Sequence, residues 1–153
     1  MIGKDTDFIQ DAGAVIETLD FINDYSGFTN LKLLAQVQNK IGDNEILETL
    51  EKVGLIDEKD KKVRKYSLGM KQKLRLAQAL MEQPEILILD EPMNGLDKTS
   101  VLRIREILNA FVKDGGTLLM TSHNAEDIQV CCQEIYEFDD QSIVRCTPSL
   151  VYR

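Results

Sequence analysis

The stretch YSLGMKQKLRLAQALMEQPEILILDEPMNGLD, residues 66–97, decides the fold class of this chain. It predicts a helix after Ser67, because a serine hydroxyl at that position accepts a hydrogen bond from an otherwise unpaired backbone N–H group. The helix ends before a short loop at Pro84, and residues 86–89 then predict a strand. Four consecutive apolar residues are typical of a parallel strand that is buried on both faces.

Two features of this stretch indicate nucleotide chemistry. Gly69 lies beside Ser67, so the helix start offers free N–H groups, a positive dipole end and no bulky side chain, which suits a phosphate. Asp90 and Glu91 follow the apolar strand, at the place where open α/β sheets bind their ligands. The alternative is a polar strand terminus, but adjacent carboxylates behind four apolar residues are costly without a cation.

The rest of the chain alternates strands with helices, which predicts a mostly parallel sheet. Strands are predicted at residues 13–17 and 117–121, both short and the second buried, and at about 134–138 and 142–145. Helices are predicted after a cap at Thr29, with Leu31, Leu34 and Val37 at helical spacing, after residues 42–44, after Gly69, over residues 100–113, and from residues 122–124.

Composition and charge exclude several classes of protein. The net charge of −8 and the pI of about 4.7 argue against a nucleic-acid binder, which usually has a basic face. No apolar run approaches the roughly 18 residues that span a bilayer, and the first residues lack the apolar core of a signal peptide. Cys131, Cys132 and Cys146 have no CxxC spacing, which favours reduced thiols over a disulfide framework or a zinc site.

Four motifs follow one another in a fixed order: YSLGM at 66–70, ILILDEP at 86–92, NGLD at 94–97 and TSH at 121–123. Together they closely resemble an ATP-binding cassette (ABC) ATPase, most like the bacitracin or antibiotic-exporter branch. The resemblance covers nearly the whole chain. It implies an α/β fold, an incomplete P-loop NTPase (RecA-like) with a mostly parallel sheet and an inserted α-helical subdomain. Residues 1–19 and 83–153 would form the partial ATPase core, and residues 20–82 the helical subdomain with the signature motif.

The resemblance implies a role for each residue of the chain's own nucleotide site. Asp90 matches the Walker B aspartate, which holds Mg²⁺ through water, and Glu91 matches the general base for the attacking water. His123 matches the switch histidine that contacts the γ-phosphate, although a lone histidine is more often structural. Glu17 aligns with the Q-loop glutamine and is expected to contact the metal. Positioning and charge neutralisation are what phosphoryl transfer requires.

The resemblance assigns other residues to a nucleotide on an opposite subunit. Ser67, Gly69 and Met70 match signature positions that clasp its γ-phosphate, and Asp97 matches the D-loop aspartate at the dimer interface. The family commonly has glycine and glutamine where this chain has Leu68 and Met70. The Ser67 hydroxyl and the Gly69 backbone remain. Ser67 can also be a simple helix cap, and both roles are compatible.

The sequence contains no GxxxxGK[ST] motif, and Asp5 follows its Gly3-Lys4 pair where a serine or threonine would bind Mg²⁺. The resemblance therefore begins after the Walker A loop. ATP and Mg²⁺ are the implied cofactors, but we expect no tight ATP binding by this chain alone and leave its enzymatic activity open. The missing strand would leave its neighbours in the sheet unpaired, which favours aggregation.

The main hypothesis is the ATP-binding subunit of an ABC exporter, in truncated form. The implied partners are a second ABC ATPase subunit and a transmembrane permease subunit, with no nucleic acid. The chain would lie in the cytoplasm, peripheral to the inner face of the membrane through the permease. One alternative is a non-catalytic interaction or regulatory module that pairs with an intact ABC subunit or a membrane subunit. Another is a translation remnant without function.

Overall fold

The computed structural model describes residues 11–16, 21–139 and 142–146. Within these residues, three parallel strands form a sheet in the order β1 (Ala12–Val15), β2 (Ile86–Asp90) and β3 (Thr117–Thr121). Ala14, Ile88 and Leu119 are register partners across it. Strands β4 (Ile135–Asp139) and β5 (Ser142–Cys146) form an antiparallel hairpin. The mixed α/β class and the parallel sheet that the sequence predicts are confirmed.

Helices connect the strands of the parallel sheet. Three of them, α1 (Gly27–Gln38), α2 (Asp43–Lys52) and α3 (Leu68–Leu80), lie between β1 and β2 in the sequence, with 3₁₀ turns at Ile56–Glu58 and Val63–Lys65. Helix α4 (Lys98–Lys113) connects β2 to β3, and α5 (Ala125–Cys131) follows β3. Parallel strands need such crossovers, because a tight turn joins only antiparallel neighbours.

Helices cover one face of the parallel sheet. Leu87 and Leu89 on that face are fully buried, where α3 packs against β1 and α4 packs against β3. On the other face, Ile86 and Ile88 are partly exposed and Leu119 is 63% exposed. The prediction that β2 is buried on both faces is therefore only half right, and the prediction that β3 is a buried strand is wrong. Helices that cover only one face leave alternate residues of each strand in contact with solvent.

Several predicted helix and strand boundaries need correction. Ser26, not Thr29, caps α1, because its Oγ accepts the Thr29 N–H at 3.1 Å. Leu31 and Ala35 of α1 face the hydrophobic core of the protein, whereas Val37 is 82% exposed. Strand β1 covers Ala12–Val15, and residues 17–20, including Glu17, lie outside the described part of the chain.

The later helices start at different residues from those predicted. Asp97 caps α4, so this helix begins at Lys98 rather than at Ser100. Asn124 caps α5, which begins at Ala125.

In the described ranges, no helix is both long enough and apolar enough to cross a bilayer. The three cysteines are free thiols, as predicted.

Candidate functional site

The ends of β2 and β3 bring polar side chains together at one edge of the sheet. Asp90 and Thr121 are register partners and the last residues of their strands. The Thr121 hydroxyl donates to Asp90 Oδ1 and accepts the Glu91 N–H at 3.1 Å. Thr121 therefore orients the Asp90 carboxylate and holds the backbone of the next residue. No role for Thr121 is predicted from the sequence, although the register of two parallel strands places it beside Asp90.

Glu91 has a backbone conformation that is uncommon for a residue with a side chain. Its φ angle is 46°, in the left-handed region, which costs about 1–3 kcal/mol and is found most often at functional sites. The chain turns there, and the Asn94 N–H donates to the Glu91 carbonyl at 3.1 Å. His123 Nε2 lies 3.4 Å from Glu91 Oε1. The structure thus brings together the two residues predicted as catalytic.

Gln72 joins helix α3 to this turn. Its side chain is buried, and Nε2 donates to the carbonyls of Glu91 at 3.3 Å and Pro92 at 3.1 Å. These two bonds satisfy carbonyls that no longer belong to the strand ladder. Gln72 is not among the residues predicted from the sequence. The signal for it was a polar residue one turn after Gly69 on a helix that otherwise buries apolar side chains.

The start of α3 is in contact with the turn that follows β2. Ser67 is exposed, and its Oγ accepts the Met70 N–H at 3.2 Å, so the predicted cap is present. A Cβ added at Gly69 would lie 2.9 Å from the carbonyl oxygen of Gly95. Gly95 has a φ of 75°, and the Leu68 side chain packs against it. Glycine at both positions allows this close approach of two backbones.

Asp97 uses both carboxylate oxygens within its own chain. Oδ1 accepts the Ser100 N–H at 3.0 Å, and Oδ2 accepts the Ser100 hydroxyl at 2.7 Å. These hydrogen bonds from Ser100 lower the pKa of Asp97. Asp97 is thus the N-cap of α4, a role that sequence reasoning did not assign. Its predicted position at a dimer interface stays a prediction.

The predicted residues thus form two groups, one at the ends of β2 and β3 and one at the start of α3, and Gln72 connects them. Residues 5–94 match the family model described as ABC transporter. The chain belongs to the ABC transporter ATP-binding family. Residues 66–97, the stretch of sequence that first indicated nucleotide chemistry, contain the contact between the two groups.

The relatives of this ABC chain include named antibiotic transport proteins. It is 42% identical over 136 residues to the ABC transporter ATP-binding protein YybJ of Bacillus subtilis (strain 168), covering 89% of this chain and 62% of YybJ. It is 42% identical over 118 residues to the bacitracin transport ATP-binding protein BcrA of Enterococcus faecalis, covering 76% of this chain and 38% of BcrA. The lantibiotic transport ATP-binding protein SrtF of Streptococcus pyogenes is 36% identical, with 76% and 51% covered. The ABC chain thus spans between about two fifths and three fifths of the length of these relatives.

Solved structures confirm the fold class of the ABC chain. A structure described as an inward-facing conformation of a metal-chelate type ABC transporter superposes with a TM-score of 0.76 at 16% sequence identity. The superposition covers 95% of this chain and 62% of that one. At this identity the likeness concerns the fold alone. It supports the prediction of a partial P-loop NTPase with a parallel sheet.

ABC ATPases use ATP and Mg²⁺, and the carboxylates of this ABC chain fit that cation. Mg²⁺ takes oxygen ligands and is usually held by one or two carboxylates together with substrate phosphates. Asp90 and Glu91 supply such oxygens at the strand end. The described residues contain no cluster of three or more histidine, cysteine, aspartate or glutamate side chains arranged for a metal. Two carboxylates at a strand end suit a cation that is held jointly with the phosphates of a nucleotide.

Proposed function

We propose that this chain is the ATP-binding subunit of an ABC exporter of the bacitracin or lantibiotic type, and that its signature site completes the nucleotide site of a second ABC ATPase subunit. The signature site consists of Ser67, Gly69 and Met70. The observation that carries the proposal is the packing of Gly69 against Gly95, which holds an exposed Ser67 at the start of α3. The names of BcrA and SrtF supply the exporter type.

The chemistry of the signature site suits the γ-phosphate of a nucleotide on another subunit. The first N–H groups of an α-helix have no partner within the helix, and its dipole favours an anion at that end. Met70 gives its N–H to Ser67, which leaves the Ser67 hydroxyl hydrogen free to point at a ligand. Lys71 and Lys73 lie one turn further along the helix and add positive potential.

In the chain's own half-site we assign the roles that the family implies. Asp90 would hold Mg²⁺ through water, Glu91 would orient or deprotonate the attacking water, and His123 would contact the γ-phosphate. The contact of Glu91 with His123 and the bond from Thr121 to Asp90 support these roles. Glu17, the further metal contact, lies outside the described residues.

The same proposal covers the remaining parts of the exporter. The core would comprise residues 1–19 and 83–153, and residues 20–82 would form the helical subdomain. A transmembrane permease subunit would bind the chain and keep it at the inner face of the membrane, in the cytoplasm.

The test is association with an intact relative, such as YybJ, in the presence of ATP and Mg²⁺. We expect a mixed dimer in sedimentation velocity that depends on ATP and that Ser67→Arg abolishes, because the larger side chain fills the phosphate position. Asn109→Arg, on the exposed face of α4, is the matched control and should leave association intact. The absence of any ATP-dependent association would refute the proposal.

A second experiment concerns catalysis by the chain alone. Because the sequence contains no Walker A motif, the isolated chain should show no measurable ATP hydrolysis. The loss of one preorganised donor to a developing charge costs about 2.7–4 kcal/mol in other enzymes. Turnover by the isolated chain that Glu91→Gln eliminates would contradict this expectation.

A non-catalytic module is the second candidate, and the exposed apolar residues of α1 favour it. Leu33, Leu34 and Val37 lie on the surface of this helix, where a membrane subunit would find apolar side chains to cover. Such a module would bind its partner equally well with Glu91→Gln. The change that separates the two candidates is Ser67→Arg, which abolishes association in the main proposal, whereas a module that binds through α1 keeps its partner.

A further inference from the structure

Two oppositely charged side chains are buried between α4 and α5, and neither has a role in the site described so far. Arg105 of α4 is 6% exposed and Asp127 of α5 is 2% exposed. Charged groups are rarely buried without a partner, because leaving water costs each of them several kcal/mol. The resemblance to ABC ATPases implies no role for this pair.

The pair is bonded so that one carboxylate oxygen stays available. Arg105 donates from Nε at 2.8 Å and from Nη2 at 2.5 Å, in both cases to Asp127 Oδ1. Its Nη1 lies 3.1 Å from Glu126 Oε1. The hydrogen bonds that Arg105 donates to the carboxylates of Glu126 and Asp127 raise the pKa of Arg105, so the guanidinium stays charged.

The free oxygen of Asp127 reaches the loop between β3 and α5. Ser122 Oγ donates to Asp127 Oδ2 at 3.4 Å and accepts the Asn124 N–H at 3.1 Å. One hydroxyl thus makes a long contact with the Asp127 carboxylate and accepts the Asn124 N–H, so it links α5 to both residues that flank His123. Asn124 in turn caps α5 by accepting the Glu126 N–H at 2.9 Å.

His123 depends on this loop for its position. Its side chain is 97% exposed, so packing does not hold the imidazole in place. Its Nε2 nevertheless lies 3.4 Å from Glu91 Oε1. The backbone of residues 122–124 must supply the placement that packing does not.

We propose that Arg105 and Asp127 are positioning residues, which act through Ser122 to hold His123 within reach of Glu91. This inference rests on the proposed roles of Glu91 and His123. The pair fixes Ser122, Ser122 fixes the loop, and the loop presents the imidazole at the carboxyl end of the strands. A pair that only joined α4 to α5 would stabilise the fold without affecting the imidazole.

The experiment uses the fact that His123 is the single histidine of the chain, so that ¹³C-labelled histidine gives one Cε1–H signal. At a fixed neutral pH, Glu91→Gln should shift this signal in the otherwise unchanged chain. Ser122→Ala cuts the link to the loop and leaves the buried pair intact, so in that background the shift should be lost. Ser122→Thr keeps the hydroxyl and should restore the shift.

Two further variants complete the test. Arg103→Gln, an exposed arginine on the same helix, is the control and should preserve the shift caused by Glu91→Gln. Asp127→Asn should abolish it, but this change endangers folding, so Ser122→Ala carries the decision. An undiminished shift in the Ser122→Ala background would overturn the positioning role. No shift even in the unchanged chain would refute the pairing of Glu91 with His123, and with it the proposed site.

Discussion

Tyr66 shows how a single residue secures the entry to the signature site. Its ring is buried directly before Ser67, and its hydroxyl donates to the Glu58 carbonyl at 2.8 Å. Gly27 makes room for it, since a Cβ there would lie 2.3 Å from the Tyr66 oxygen. Burial, with a further contribution from the negative charge of Glu58, raises the pKa of Tyr66 to about 12.

This raised pKa predicts a loss of stability at alkaline pH. The folded pKa of about 12 exceeds the ordinary value of 10.0, so the folded state retains the proton more strongly than the unfolded state. The corresponding stability is complete below a pH of about 10 and is lost as the pH rises through about 12. Tyr66→Phe should make this loss smaller, and at neutral pH it should cost about 0.5–1.5 kcal/mol for the missing hydrogen bond.

Urea unfolding at a series of pH values measures both effects. Tyr25→Phe is the control, because Tyr25 is exposed. An alkaline profile that is identical in Tyr66→Phe and the unchanged chain would show that the buried hydroxyl does not titrate with folding.

Helix α3 is the element that connects the two groups of predicted site residues. Its first turn contacts Gly95, Gln72 holds two carbonyls of the turn after β2, and Leu74 and Ala77 are buried in the core. The apolar face fixes the helix, and the polar residue on it fixes the turn. The element therefore has a packing role and a positioning role at once.

Replacing Gln72 by leucine should destabilise the fold by about 1–3 kcal/mol. The side chain keeps a similar volume, but the buried Pro92 carbonyl loses the Gln72 donor and the Glu91 carbonyl keeps only the Asn94 N–H. Thermal or urea unfolding measures the change. Gln78→Leu is the matched control, since Gln78 lies on the same helix and is only partly buried. If both variants lose the same free energy of unfolding, the hydrogen bonds of Gln72 do not contribute to stability beyond the effect of the substitution itself.

Signals that are local in the sequence were sufficient to predict most elements. The apolar run 86–89 and the Ser67 cap need only their neighbours in the chain, and both were found. Ser26 and Thr29 are two hydroxyl residues three positions apart, and the sequence alone does not decide which of them caps α1. Gln72 and Thr121 were missed because their roles depend on which segments meet in space, which strand register and helix packing determine.

At the scale of the whole molecule, the main departure from an ordinary α/β protein is one face of the parallel sheet that no helix covers within residues 11–16, 21–139 and 142–146. Leu119 of β3 is 63% exposed, Ile88 of β2 beside it is partly exposed, and Ile16, directly after β1, is 60% exposed. Parallel sheets are almost always covered on both faces. The prediction that β3 is buried was wrong, because a run of apolar residues indicates a strand that is suited to burial but does not indicate which segments pack on it.

This face should make the isolated chain self-associate. We expect the weight-average mass in sedimentation equilibrium to rise with protein concentration, and Leu119→Lys to reduce the rise, because a charge on the face opposes apolar contact. Leu102→Lys, at a residue of α4 that is 50% exposed, is the control. Equal self-association in both variants would place the contact elsewhere.

The bonds of Gln72 have a consequence for how this protein could be altered. Gly69 and Gln72 are three residues apart on one helix, which corresponds to a rise of about 4.5 Å along a rigid rod. A displacement of the helix start at Gly69 therefore also moves Gln72, whose side chain donates to the Glu91 carbonyl. The effects of substitutions at Gly69 and Gln72 on affinity should therefore be non-additive. A substitution that changes affinity at the start of α3 will also change the geometry of the Glu91 carboxylate.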